Sequence, residues 1–88
     1  MNVNPDKLYD IEHRVIDEVH RARGKFAPMH SAHEGLAVIE EEMAELRQHV
    51  YMKQKLRDLN AMQKEAIEVA AMAICFAMEV CDEERGRT

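Results

Sequence analysis

Apolar residues return at three- and four-residue steps along most of this chain. Leu8, Ile11, Val15, Val19 and Ala22 form one stripe, and Leu36, Ile39, Met43, Leu46 and Val50 form another. That rhythm puts each set on one face of an amphipathic helix. Asn4-Pro5 opens the first helix, with Asn4 accepting from free amides and Pro5 tolerated in the first turn. Gly24 is its stop, and Pro28 in the connection KFAPMH (25–30) bars continuation. Ser31-Ala-His-Glu34 has the spacing of a capping box, in which Ser31 accepts from the Glu34 amide and the Glu34 carboxylate reaches back. Asn60 with Gln63 marks the next helix start. The predicted helices span residues 5–23, 32–56 and 61–84, followed by a short tail at 85–88, all in a single domain of 88 residues.

The third helix breaks the pattern. From Val69 to Met78 it is apolar on every side, which for a helix means burial all round. Two amphipathic partners in so short a chain cannot cover it, and large exposed apolar patches mark interfaces. The expectation is an all-α fold, a three-helix antiparallel chain that completes a helical bundle by dimerisation or tetramerisation. Composition agrees: 3 Gly, 2 Pro, 2 Phe and 2 Tyr leave few turn or strand formers.

Charge narrows the partners. A formal net charge of −5 disfavours nucleic acid, whose affinity comes largely from Lys and Arg neutralising phosphates. An acidic protein still takes an anionic substrate if a divalent cation bridges the two. Cys75 and Cys81 sit on different faces of one helix, as suits reduced thiols rather than a disulfide framework. Met1–Leu8 lacks the basic and apolar regions of a signal peptide, and the ten-residue apolar run is about half a membrane span. A cytoplasmic protein without membrane contact is expected.

Residues 39–46 read IEEEMAEL. Like charges three and four residues apart on a helix repel by roughly 0.2–0.5 kcal/mol per pair. Val38, Glu42, Glu45 and His49 border the apolar stripe of the second helix, while Glu40 and Glu41 point elsewhere. On the third helix Glu65, Glu68, Met72, Cys75 and Glu79 share a face. The chain thus carries two Glu-x-x-Glu pairs, Glu42/Glu45 and Glu65/Glu68, on successive antiparallel helices where they can face each other. Four carboxylates in a half-buried space cannot all stay ionised unaided: several take up protons, or a cation binds. Hard oxygen donors suit Mg²⁺ or Mn²⁺. The bland alternative is a solvated acidic helix face, the usual fate of Glu.

The stretch His33–Tyr51 (HEGLAVIEEEMAELRQHVY), followed by Lys64–Ile74 (KEAIEVAAMAI), resembles the MazG-like all-α nucleoside triphosphate pyrophosphohydrolases, and most nearly their short phage-type branch with a His-Glu-Gly motif. The family pattern is E-x-x-E, a spacer, then E-x-x-D. Here Glu42/Glu45 match the first pair, nineteen residues intervene, and Glu65/Glu68 match the second, with Glu68 standing where the family has Asp. The resemblance covers about residues 20–80. It implies a homodimer or homotetramer with Mg²⁺ on Glu42, Glu45, Glu65 and Glu68. It also implies cleavage of a nucleoside triphosphate to the monophosphate and pyrophosphate, with Glu41 or a metal-sharing glutamate helping to orient the water as base. His33, near the expected cleft mouth, and Lys64, beside Glu65, are the expected substrate contacts.

Two function classes stay open at this point: the Mg²⁺-dependent hydrolase, and a catalytically weak or inactive helical oligomer serving as an interaction module. A carboxylate-bridged di-iron protein is disfavoured, because Asp10/His13 and Asp17/His20 lie opposite the first apolar stripe. Arg21, Arg23 and Lys25 are expected to complement the dipole at the end of the first helix, in preference to anchoring phosphate.

Overall fold

The computed structural model describes residues 2–82. Helix α1 covers Pro5–Lys25, α2 covers Ala32–Val50, and α3 covers Leu59–Glu79, with a single 3-10 turn at Gln54–Leu56 before α3. No strand occurs among the described residues. Asn4 caps α1 as its sequence demands: Oδ1 accepts from the amides of Asp6 (3.0 Å) and Lys7 (3.1 Å). Ser31 Oγ accepts from the Glu34 amide at 3.1 Å. The return arm of that capping box does not form; the Glu34 carboxylate turns instead to His30 Nδ1 at 3.6 Å.

The second helix ends at Val50, six residues before the expected Leu56. Arg57 explains the stop: its Nη2 donates to the Val50 carbonyl at 2.5 Å, satisfying one of the acceptors a helix C-terminus leaves open. The third helix begins two residues early, because the cap is Asp58 rather than Asn60. Asp58 Oδ1 accepts from the amides of Asn60 and Ala61, each at 3.1 Å. Gln63 is drawn away to accept from Arg14 Nη1 at 2.6 Å. Helix α3 stops at Glu79 and not at 84. Residues 83–84 and the expected tail lie outside the described residues.

Side-chain contacts fix the direction of each helix. Gly35 meets Phe76 while Glu42 and Glu45 meet Glu65 and Glu68, so α2 and α3 run antiparallel. Arg14 reaches Gln63 and Arg23 reaches Glu79, so α1 and α3 run the same way. Helix α3 is the centre, packed against both others, whereas α1 and α2 hardly touch. Its buried residues Ile67, Ala71, Met72 and Cys75 join Val15, Ala22 and Met29 in the core.

A second set of bonds pins the α1–α2 connection onto the end of α3. Arg23 forms an ion pair with Glu79, its Nη2 donating to Glu79 Oε1 at 3.0 Å. Its Nη1 donates to the carbonyls of Phe26 and Ala27, each at 3.3 Å. The Met29 amide donates to the same Glu79 Oε1 at 3.0 Å. Arg23 therefore does more than complement a helix dipole.

The expected core stripe of α2 is rotated. Gly35 is the buried residue of this helix, and Val38 and Ile39 pack on the core, while Leu36, Met43 and Val50 stay exposed. Gly35 allows the close approach: a Cβ there would lie 2.6 Å from Phe76 Cδ2 and 3.0 Å from Met29 Sδ. Alanine gains about 1 kcal/mol of helix propensity over glycine, but overpacking costs about 1–3 kcal/mol. Gly35→Ala is therefore expected to lower the melting temperature; a rise would show that Phe76 swings aside freely.

Among the described residues, fourteen large hydrophobic residues are exposed against seven hydrophobic residues in the core. The radius of gyration is 14.7 Å, where a compact domain of this size has about 12 Å. No helix among the described residues is long and apolar enough to cross a membrane.

Candidate metal centre

Antiparallel pairing of α2 and α3 brings the two Glu-x-x-Glu pairs face to face. One carboxylate oxygen from each of Glu42, Glu45, Glu65 and Glu68 lies within 4.8 Å of the other three. Glu42, Glu65 and Glu68 are half-buried and Glu45 is exposed. Residues three apart on a helix share a face, so each helix presents its pair as a unit, and the short connection sets the pairs opposite one another.

The electrostatics follow from that crowding. Glu42 is pushed up to about 7, first by burial, then by hydrogen bonding to Glu68 and by the charges of Glu45, Glu68 and Glu65. Glu65 is also pushed up to about 7, by burial, by hydrogen bonding to and the charge of Glu68, and by the same influences from Glu45. Glu42 Oε2 and Glu65 Oε2 are buried and lack a hydrogen-bond partner. A buried acceptor without a donor is costly, and a proton or a cation would relieve it. The donor set is all carboxylate oxygen, which fits a hard dication such as Mg²⁺ or Mn²⁺ and offers no thiolate or imidazole for a softer metal.

Two cavities adjoin the cluster. The larger, about 440 Å³, lies between the end of α1, the α1–α2 connection, α2 and α3. Its acidic lining includes Glu18, Glu34, Glu41, Glu42 and Glu68, its apolar lining includes Val38, Met72 and Phe26, and Arg21 and Arg23 are its cations. The smaller, about 380 Å³, opens between α1 and α3 among Arg14, Arg21, Lys64 and Glu68.

Glu41 is exposed and lines the larger cavity. Lys64 lines the smaller one, its Nζ 3.8 Å from Glu68 Oε1. His33 is exposed and lines neither. Asp10, His13, Asp17 and His20 are all exposed, as a solvated face of α1 requires. Sequence reasoning named Arg21 but missed its pairing with Glu18. Arg21 Nε and Nη2 donate to Glu18 Oε1 and Oε2 at 2.9 and 2.6 Å, and that bond holds the Glu18 carboxyl below the usual carboxylate range. Both residues line both cavities. Their i,i+3 spacing was a visible signal for the pair, but only the packing of α1 on α3 reveals that it borders the carboxylates.

No family model, no curated protein and no solved structure matches the chain.

Proposed function

We propose that this chain is a divalent-cation-dependent nucleotide pyrophosphohydrolase, acting on a nucleoside triphosphate or deoxynucleoside triphosphate. The observation that carries the reading is the convergence of Glu42, Glu45, Glu65 and Glu68 within 4.8 Å of one another. The resemblance of His33–Tyr51 and Lys64–Ile74 to the MazG-like enzymes supports the same reading and supplies the reaction class. Mg²⁺, with Mn²⁺ as the alternative, would be held by those four carboxylates, where it neutralises phosphate charge and makes water more acidic.

The chain's own groups divide the remaining work. Water adds across the anhydride between the α- and β-phosphates, the P–O bond breaks, and pyrophosphate leaves with the bonding electrons. Glu41, exposed and lining the larger cavity, or one of the metal-holding glutamates would take the water proton. Lys64 and Arg21 bring cationic donors beside Glu68 for phosphate oxygens, and His33 at the start of α2 is the further candidate contact. The apolar wall of Val38, Met72 and Phe26 takes the organic part of the nucleotide, as ligand pockets combine apolar area with few polar anchors. The free thiols of buried Cys75 and exposed Cys81 fit the reducing cytoplasm.

The test is a panel of canonical and modified nucleoside triphosphates with Mg²⁺, assayed separately for pyrophosphate and orthophosphate. Pyrophosphate release by the native chain, lost in Glu45→Gln, is expected. Equal background rates for the two proteins on every substrate would overturn the reading.

The excess of exposed over buried hydrophobic residues favours self-association in either case, as a homodimer or homotetramer. It also keeps alive a second reading, a non-catalytic helical oligomer. That reading expects assembly without metal and no turnover.

A further inference from the structure

We infer that the outer face of α2 is a two-fold interface, on which α2 of a second copy of this chain docks antiparallel. Leu36, Ile39, Met43, Leu46 and Val50 are spaced three, four, three and four residues apart, the a/d pattern of a coiled-coil seam. Within one chain that seam has no partner: Leu36, Met43 and Val50 are 51%, 40% and 39% exposed. Ile39 and Leu46 are half-buried at its inner edge. Helix α2 meets α3 through Gly35, Val38, Glu42 and Glu45, roughly a quarter-turn away at 100° per residue, so docking on the seam leaves the carboxylate cluster in place.

Charge selects the occupant and its direction. With its a positions set against the d positions of an antiparallel copy, the seam packs Met43 against Leu46 and Ile39 against Val50 of the other copy, each pair made twice. Glu40 and Arg47 flank the seam on its solvent side and form no ion pair among the described residues. In the antiparallel arrangement each Glu40 faces Arg47 of the other copy, and symmetry makes the pair twice. A parallel arrangement would offer Arg47 only Glu42, which is turned into the cluster against α3. Opposite charges meet in one direction and not in the other, which is how such flanking positions set helix orientation.

The inference rests on the self-association proposed above and not on the metal chemistry, and the experiment separates the two levels. Light scattering on the metal-free chain reads a mass of at least twice 10.2 kDa; a monomer at high concentration overturns both self-association and the seam. The direction is read by cysteine oxidation in a Cys81→Ser background, where Cys75 stays buried. Met43→Cys alone is expected not to couple, but to give a covalent dimer when mixed with Leu46→Cys, and Ile39→Cys is expected to couple with Val50→Cys in the same way. An assembled protein that couples through Met43→Cys alone, or fails to couple in either mixture, overturns the antiparallel seam while self-association stands. Glu40→Arg should weaken the dimer several-fold, and adding Arg47→Glu should restore it. Both positions are exposed, so circular dichroism of each variant is expected to show an intact helix content. Failure of the double variant to recover overturns the charge pairing.

Discussion

Glu42→Gln is expected to lower Mg²⁺-dependent pyrophosphate release by about a hundredfold or more, a loss of about 2.7 kcal/mol of transition-state stabilisation. The same change is expected to raise the melting temperature of the metal-free protein at pH 8. Both effects come from one geometry. Glu42 contributes a buried oxygen without a hydrogen-bond partner to a cluster of four carboxylates, so its charge would help to hold the proposed cation and repels its neighbours without one. Glutamine keeps the size, removes the charge, and brings an amide that donates to Glu68 or Glu45. A gain in one property with a loss in the other separates a functional site from a structural one, because removing an ordinary stabilising group lowers both. Asp10→Asn, on the solvated face of α1, is the control and should move neither. If Glu42→Gln melts lower than the native chain in the absence of metal, the carboxylates are not held against their mutual repulsion.

Much of this geometry was legible before the coordinates, and the parts that were not share a cause. Period and caps placed the first two helices, because Leu8 to Ala22 and Leu36 to Val50 repeat at helical steps and Asn4 and Ser31 are strong caps, while the apolar run from Val69 to Met78 marked the third. The Glu-x-x-Glu pairs could be set facing each other because a short connection makes neighbouring helices antiparallel. What period could not decide was which of two adjacent stripes on α2 faces inward. Hydrophobicity pointed to Leu36, Met43 and Val50, whereas the structure turns Gly35, Val38 and Glu42 toward α3. A glycine adds nothing to a hydrophobic count, yet its missing side chain admits Phe76. The end of α2 was hidden too: residues 51–56 are acceptable helix formers, and the stop depends on Arg57, seven residues beyond the carbonyl it binds. Arg23 and Glu79 are 56 residues apart in sequence, a distance at which no local pattern carries information.

The metal-free protein is expected to lose stability as pH rises from about 5.5 to 8.5, and Mg²⁺ is expected to reverse that trend. Glu42 and Glu65 are each pushed up to about 7 in the folded chain, whereas an unperturbed Glu titrates near 4.3. Between those values the folded state binds more protons than the unfolded one, so unfolding free energy falls as pH increases. The contribution is fully present below the unfolded value and is gone once pH has passed the folded one. Because the groups are only half-buried and share a cluster, solvent screening reduces the combined effect to on the order of 1–2 kcal/mol. In a chain of this length 1 kcal/mol moves the melting temperature by about 4–8 °C, so scanning calorimetry across that pH range resolves it. Mg²⁺ binds the deprotonated cluster, and binding to the folded state alone adds stability that grows with metal concentration. At pH 8.5 the ion meets four carboxylates that need it; at pH 5.5 it competes with protons, and its effect shrinks. A melting temperature that ignores pH in the metal-free protein would mean that the carboxylates are solvated well enough to ionise independently. A pH trend that survives saturating Mg²⁺ unchanged would mean that protons, and not a cation, hold this cluster together.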